Sequence, residues 1–301
     1  MPFAKTEETD ICYETFGRST DPAVILIMGL GGQLLGWDED FCQLLADQGW
    51  FVVRFDNRDV GLSTMFDDAG LDLSVAINEA LAGNPIEVPY TLSDMAGDTS
   101  GLMDHLGIDR AHLVGVSMGG MIAQTLATEH PNRVASLTSI MSSTGSRAVG
   151  QPTPEAVAVL FERPPEDRAA AIEASVRARK VIGSTTHFDE DRARRKAGAA
   201  FDRSINPDGT GRQLAAVYAA GNRSEQIARI IAPTLVIHGT QDTLIDVSGG
   251  HHTAELIPDA RLMVLDDMGH DLPPPLWDRL INEISSHMRA AEEALLAQPT
   301  N

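Results

Sequence analysis

The sequence predicts one α/β domain built on a doubly wound, mostly parallel β-sheet, with an inserted helical segment. Short apolar runs of strand length alternate with segments of helical periodicity on both sides of one interruption. The runs lack polar alternation, which is typical of parallel strands that are buried on both faces. Within the interruption the strand-like runs disappear, and alanine, arginine and glutamate dominate.

Runs rich in valine, isoleucine and leucine, ending near turn-forming residues, are predicted to be the strands. These runs are Val24–Met28, Phe51–Phe55, His112–Val116, Val134–Met141, Thr234–His238 and Arg261–Leu265. Apolar residues at helical spacing predict helices over Leu34–Gln48 and Thr91–Leu106. Thr91 and Asp94 have the spacing of a capping box, which favours a helix start at that point.

The interruption predicts a helical subdomain. We expect residues 1–145 and 223–301 to form the core and residues 146–222, here called the cap segment, to form a helical cap or lid. This insertion point leads off the carboxyl edge of the strands, where open α/β sheets bind ligands. Its apolar side chains are expected to roof a pocket: Val157, Leu160, Phe161, Val181, Ile182 and Phe188. Its arginines are expected to form a solvated helix face, with contact to an acidic substrate left open: Arg177, Arg179, Arg192, Arg194 and Arg195.

Composition and charge restrict the classes of partner. The net charge of −20 makes binding to nucleic acid or to an anionic membrane unfavourable. No apolar run is long enough for a membrane span, and the opening MPFAKTEETD lacks the pattern of a signal peptide. The two cysteines, Cys12 and Cys42, fit a reducing cytoplasm rather than a disulfide framework. A small molecule is therefore the expected partner, and a homo-oligomer is left open.

Ser117 is the predicted nucleophile. It lies in Gly115-Val116-Ser117-Met118-Gly119, a G-x-S-x-G sequence between a strand-like run and a helix-like segment. A nucleophilic serine on such a strained turn needs close backbone approach, and side chains at Gly115 or Gly119 would collide with neighbouring backbone. The same letters also occur in ordinary turns, so the strand–turn–helix context carries the assignment.

A serine nucleophile needs a base and an acid that holds the base in one tautomer. His270 follows the last strand-like run, and Asp242 follows the preceding one. Asp246, Asp266 and Asp267 are rival acids, but Asp266 and Asp267 are so close to His270 in the chain that turning back onto its ring is difficult.

Backbone N–H groups are expected to stabilise the oxyanion that forms during acyl transfer. Ile27-Met28-Gly29-Leu30-Gly31-Gly32 follows the first buried strand, and Leu30 N–H is the predicted donor there, with Met118 N–H as the second. A phosphate-binding loop is disfavoured because no Lys-Ser/Thr pair follows these glycines. Trp37 is interpreted equally as core or pocket wall, and Met118, Met121, Met141 and Met268 as candidates for an apolar pocket lining.

Taken in order, the Met28-Gly29 turn, FDNRDVGLS, GVSMGG, HGTQD and MGH resemble the α/β-hydrolase superfamily over the whole chain. FDNRDVGLST is similar to the D-x-R-G-x-G-x-S loop of that family, with Asp59 where glycine is commoner, and Asp56 and Arg58 are expected to brace the loop. GWDEDF and the MGHDLP ending add a narrower resemblance to the aclacinomycin methylesterase group of actinobacterial esterases.

The residues and the resemblance together imply a serine carboxylesterase that forms an acyl-enzyme on Ser117 and hydrolyses uncharged, moderately hydrophobic esters. No metal or organic cofactor is expected, and the His251-His252 pair is interpreted as a surface feature. A methylesterase or lactonase of a natural-product pathway, or a carbon–carbon bond hydrolase with the same triad, remains an alternative. A non-catalytic ligand-binding relative is disfavoured because all three triad positions are filled.

Overall fold

The computed structural model describes residues 1–297. Its strands form one sheet with the spatial order β1-β2-β4-β3-β5-β6-β7-β8. They are β1 (Phe3–Lys5), β2 (Asp10–Phe16), β3 (Ala23–Ile27), β4 (Phe51–Phe55), β5 (Ala111–Val116), β6 (Val134–Ile140), β7 (Thr234–Gly239) and β8 (Arg261–Leu265).

Strands β3 to β8 pair in parallel, whereas β1 and β2 pair antiparallel at one edge. The doubly wound, mostly parallel sheet predicted from the sequence is therefore confirmed, and the six predicted strands occur with end shifts of at most one residue. The two antiparallel strands were not predicted. They carry polar residues such as Lys5, Asp10 and Glu14, and β1 is too short for a periodicity to emerge.

Helices surround the sheet within the described residues. They are α1 (Glu39–Asp47), α2 (Leu73–Leu81), α3 (Leu92–His105), α4 (Met118–Glu129), α5 (Pro154–Leu160), α6 (Arg168–Ile182), α7 (Glu190–Arg203), α8 (Pro207–Ala220), α9 (Ser224–Ile227), α10 (Ser248–Leu256) and α11 (Trp277–Leu296). None of the helices in residues 1–297 combines the length and apolar character that crossing a bilayer requires.

Alternate residues of the central strands enter separate cores. On β3, Ile25 and Ile27 pack with side chains of α3 and α4, whereas Val24 and Leu26 pack with side chains of α1 and α11. Both faces of the sheet are therefore covered, which explains why these strands read as continuous apolar runs.

The helix starts follow local chemistry. The predicted capping box is present, because Thr91 Oγ1 accepts from Asp94 N–H and the Asp94 carboxylate accepts from Thr91 N–H. The predicted helix over Leu34–Gln48 is shorter than expected: Leu34–Gly36 form a 3₁₀ turn, and α1 begins only at Glu39. Helix α2, in the 67–90 region, was not predicted.

Helices α5 to α8 occupy the cap segment, between β6 and β7 in the chain. Helices α6 and α7 enclose a small core of their own, formed by Ile172, Val176 and Ala193 with Phe188 packed against it. Whether residues 146–222 behave as a separate subdomain stays a prediction.

Candidate active site

Ser117 stands at the sharp turn between β5 and α4. Its backbone has φ 54° and ψ −122°, a left-handed conformation that a residue with a Cβ rarely adopts. The turn is held because Ser117 N–H donates to Ile140 O over 2.9 Å. A Cβ at Gly115 would overlap Gly119 O, and a Cβ at Gly119 would overlap Ile27 O. The two motif glycines are therefore required by backbone packing, as the sequence predicted.

His270 and Asp242 meet at the same carboxyl edge of the sheet. His270 Nδ1 lies 2.7 Å from Asp242 Oδ2, and both side chains are largely buried. Asp242 Oδ1 accepts from the N–H groups of Leu244 (2.9 Å) and Ile245 (2.8 Å). Among the described residues no hydrogen bond joins His270 to Ser117, and catalytic hydrogen bonds often tighten only when substrate is bound.

The surroundings of Asp242 favour its ionised form. Burial alone would raise the pKa of Asp242, but the charge of His270 and hydrogen bonds from His238, His270 and Ile245 N–H outweigh burial and hold that pKa below its ordinary value. His238 is fully buried and donates through Nε2 to Ile245 O (2.8 Å), with Asp242 Oδ2 at 3.4 Å. A permanently charged carboxylate is what an imidazolium partner requires.

The rival acids lie elsewhere. Asp267 Oδ2 is 3.0 Å from His187 Nε2, a partner from the cap segment. The backbone carbonyl of Asp266 accepts from Thr240 and Gln241, and Asp246 accepts from Ser248 N–H. Of the four candidate acids, the structure brings only Asp242 to the His270 ring.

The turn at residues 28–32, here called the oxyanion turn, lies against Ser117. A Cβ built on Gly29 would be 3.7 Å from Ser117 Oγ. Within residues 1–297 the N–H of Leu30 has no protein acceptor, and Met118 is the first residue of α4, where a helical N–H lacks an intrahelical acceptor. Both predicted donors are therefore available beside the serine.

Side chains of the loop after β4 brace that loop, as expected for Asp56 and Arg58. Asp56 accepts from Leu34 N–H (2.7 Å) and Leu62 N–H (2.9 Å). Arg58 donates to both oxygens of Asp98, at 2.6 and 3.0 Å. Asn57, which the sequence reasoning missed, donates from Nδ2 to Met28 O over 2.9 Å.

Asp59, the departure from the family pattern, has φ 69°, a conformation that glycine adopts without strain. Its carboxylate forms a bidentate pair with Arg212 of α8 (2.8 Å for each contact) and accepts from Tyr90 Oη (2.6 Å). Burial would raise the pKa of Asp59, but hydrogen bonds from Arg212, Phe66 N–H and Tyr90 lower it. Aspartate at this position accepts backbone strain that glycine would avoid. In return it forms a buried ion pair that joins the cap segment to the core.

The cap segment also touches the loop at residues 266–271, here called the histidine loop. His270 N–H donates to Ile182 O (2.7 Å), and Gly269 N–H donates to Ser184 Oγ (2.8 Å). Ser184 in turn donates from its N–H (2.9 Å) and its hydroxyl to Asp271 Oδ1. A Cβ at Gly269 would overlap the backbone at Gly183. Gly269, the residue before His270, is thus required by a contact with the cap segment, and no local sequence pattern indicates that contact.

A cavity of about 860 Å³ lies between the cap segment, the 67–74 region and the oxyanion turn. Its lining includes Leu30 of the oxyanion turn and Leu244 of the loop that carries Asp242, but not Ser117. Of the predicted roof residues, Leu160, Phe161 and Ile182 line this cavity. Phe188 instead packs between α6 and α7, and the five predicted cap arginines lie outside the lining.

Other expectations need correction. The methionines near the motifs are core residues rather than pocket lining: Met118, Met121, Met141 and Met268. Of the two interpretations left open for Trp37, the structure supports core, since 1% of its surface is exposed. Within the described residues, no group of three or more histidine, cysteine, aspartate or glutamate side chains could hold a metal ion.

The family follows from comparison with known proteins. The model of the alpha/beta hydrolase fold family matches residues 22–273 of this chain. The chain belongs to the alpha/beta hydrolase fold family. This confirms the fold class and the superfamily resemblance inferred from the sequence.

The narrower resemblance is confirmed as well. Within this hydrolase family, the chain is similar to rhodomycin D methylesterase of Streptomyces sp. strain C5, with 27% identity over 95% of this chain and 97% of the relative. It is similar to 3-oxoadipate enol-lactonase 2 of Acinetobacter baylyi, with 26% identity over 86% of each chain. Among solved hydrolase structures, a meta-cleavage product hydrolase of Pseudomonas fluorescens IP01 has a TM-score of 0.76 at 20% identity, covering 97% of this chain and 98% of its own. That last likeness shows the fold alone.

Proposed function

We propose that this chain is a serine carboxylesterase that hydrolyses uncharged, moderately hydrophobic carboxylic esters. Ser117 is the nucleophile, His270 the base, Asp242 the acid, and the N–H groups of Leu30 and Met118 hold the oxyanion. The observation that carries the proposal is the hydrogen bond between His270 Nδ1 and Asp242 Oδ2 at the sheet edge where Ser117 stands strained at a helix start.

The reaction proceeds in two halves. Ser117 Oγ attacks the ester carbonyl while His270 Nε2 takes its proton, and the carbonyl oxygen becomes an oxyanion beside the two N–H groups. His270 then gives the proton to the departing alcohol, which leaves an acyl group on Ser117. A water molecule, deprotonated by His270, attacks the acyl group, and the acid departs as Ser117 regains its proton.

The cavity supports the substrate class. Leucine, isoleucine and phenylalanine side chains supply apolar wall, among them Leu30, Leu73 and Leu160. Its charged lining holds more carboxylates than arginines: Asp67, Asp72, Glu162 and Asp208 against Arg163 and Arg212. Arg163 lies 3.0 Å from Asp208, and Arg212 is paired with Asp59. An ester with a negative charge would therefore meet repulsion rather than a free arginine.

A methylesterase acting on a bulky acid is the second candidate. The methylesterase relative covers nearly the whole chain, and the cavity volume of about 860 Å³ falls in the range that holds a drug-sized ligand. In this version the acid part occupies the cavity and the small alcohol part lies towards His270.

A substrate panel tests the proposal. It contains p-nitrophenyl esters of graded chain length, p-nitrophenyl hemisuccinate as an anionic ester, methyl esters of polycyclic acids, lactones and a β-diketone. We expect neutral esters of medium length to be hydrolysed, and the hemisuccinate to show a kcat/KM about tenfold lower, a difference of about 1.4 kcal/mol. Preference for the polycyclic methyl esters favours the second candidate, and turnover of none of the esters refutes both.

The acid limb of the pH profile is a separate prediction. Because the pKa of Asp242 is held below its ordinary value, this carboxylate stays ionised above about pH 4, where a free aspartate titrates. With Asp242 ionised throughout, one protonation step should control the acid limb, so log kcat/KM should rise with pH along a line of unit slope. The measurement uses a neutral ester, with circular dichroism at each pH to show that the fold persists. A slope of two, or an optimum near pH 4, contradicts an ionised Asp242 beside a histidine base.

A further inference from the structure

Gln213, on α8 of the cap segment, joins two core loops through their backbones. Its side chain is fully buried. Oε1 accepts from Gly31 N–H over 2.9 Å, and Nε2 donates to Arg58 O over 2.7 Å. Buried backbone groups need partners, and an amide side chain offers an acceptor and a donor side by side.

The Gly31 contact bears directly on the predicted oxyanion donor. Gly32 N–H donates to Gly29 O over 3.1 Å, which orients the peptide unit between Gly29 and Leu30. Because a trans peptide points its N–H opposite to its C=O, Leu30 N–H is aimed out of the turn. The next N–H, that of Gly31, donates to Gln213 Oε1 and is therefore not free to bind a substrate. Of these two adjacent groups, Gly31 N–H is therefore bound within the protein, and Leu30 N–H remains for the substrate.

The position of Gln213 is itself fixed. The preceding residue, Arg212, forms its buried bidentate pair with Asp59, one residue after the carbonyl that Gln213 binds at Arg58. These contacts set the register of α8 against the loop after β4. The oxyanion turn is therefore held from the cap segment as well as from Asn57 beneath it.

We propose that Gln213 is a positioning residue for the oxyanion-stabilising N–H of Leu30. This inference rests on the proposed serine esterase function and deepens it. Gln213 does not touch the substrate. Gln213 fixes the Leu30–Gly31 peptide unit, and this unit adjoins the Gly29–Leu30 unit that carries Leu30 N–H. With both units held, Leu30 N–H meets the oxyanion without reorganisation, which is the source of stabilisation by preorganised donors.

The test uses Gln213→Met, which keeps the length of the side chain and removes both hydrogen-bonding groups. Loss of one oxyanion donor costs about 10² to 10³ in kcat, so a displaced donor should cost about 10- to 100-fold. We expect KM to change by less than about threefold, because the substrate ground state gains little from this donor. Inhibition by a trifluoromethyl ketone, which forms a tetrahedral oxyanion on the serine, should weaken by the same factor as kcat/KM.

Two further variants separate positioning from general stability. Gln124→Met removes an equally buried glutamine, one bonded to Ser139 and Arg223, and should lower Tm without a matching loss of trifluoromethyl ketone affinity. Gln213→Glu keeps an oxygen for Gly31 N–H and gives up the donor to Arg58 O, so it should retain more kcat than Gln213→Met. If Gln213→Met does not fold, Gln213→Asn decides, because its shorter side chain keeps the amide but cannot span Gly31 N–H and Arg58 O together. Values of kcat and ketone affinity that both equal wild type in Gln213→Asn refute the inference, and a parallel partial loss supports it.

The outcomes for the two proposals differ. A wild-type protein that hydrolyses no ester overturns the esterase function and this inference with it. An active wild type, with a folded Gln213→Met variant that keeps its kcat and its ketone affinity within about threefold, overturns the positioning role alone.

Discussion

Replacing Ser117 by alanine is expected to lower ester turnover by about 10³-fold or more while the fold stays intact. In the proposed mechanism the Ser117 hydroxyl forms the acyl-enzyme, so the residual rate would reflect binding and the oxyanion donors. Alanine keeps the Cβ at the strained turn, and Ser117 N–H can still donate to Ile140 O. The measurement is kcat/KM on a p-nitrophenyl ester together with labelling by a fluorophosphonate probe.

Ser286→Ala is the matched control for this experiment, because Ser286 is exposed on α11. Its activity and its labelling should equal those of the wild type. Full turnover by a well-folded Ser117→Ala variant would remove the proposed mechanism entirely.

Asp242→Asn is expected to reduce turnover by about 10⁴-fold, as loss of the correct histidine tautomer does in a triad. Asparagine has nearly the same shape, but its amide cannot act as a charged acceptor for the imidazolium. One amide oxygen can still accept from Leu244 N–H or Ile245 N–H, so the loop after β7 should keep its conformation. Pre-steady-state kinetics should show acylation slowed, because the base acts in that step.

Asp266→Asn and Asp267→Asn are the controls for the acid. Asp266 is exposed, and Asp267 pairs with His187 rather than with the triad. Each substitution should leave turnover within about threefold of wild type. A loss below tenfold in Asp242→Asn, with a large loss in either control, means that a different carboxylate serves His270.

Much of the fold could be predicted because its central strands are buried on both faces and their apolar character is local. Phe51–Phe55 and Arg261–Leu265 have the same limits in sequence and structure. Strand β2 was missed because only part of it is buried and Asp10 and Glu14 interrupt the pattern. The break between the 3₁₀ turn at Leu34 and α1 was missed because apolar residues continue through it.

The positions of Ser117, Asp242 and His270 could be anticipated because each lies in the loop that follows a strand of one parallel sheet. The residues that hold the loops around these three positions could not be anticipated. Gln213 lies 182 residues from Gly31, and Ser184 lies 87 residues from Asp271. Neither stands in a recognisable motif, and each acts on a backbone group that has no sequence signature. Asp59 was the one visible signal, because it stands where the family commonly has glycine. A non-glycine residue with a left-handed backbone implies a compensating interaction, which here is the ion pair with Arg212.

The hydrogen bonds between residues 182–184 and the histidine loop limit how substrates can reach Ser117. A cap hinged like a door would have to break the bonds from Ser184 to Asp271 and from His270 N–H to Ile182 O each time it opened. Each opening would then release the backbone of the loop that carries His270, the proposed base. In the proposed mechanism, substrates must instead enter through the cavity that the 67–74 region and the cap segment line, which leaves these hydrogen bonds in place. The cap segment then acts as a fixed wall of the pocket rather than as a moving cover, and the histidine loop keeps one conformation through the whole reaction cycle.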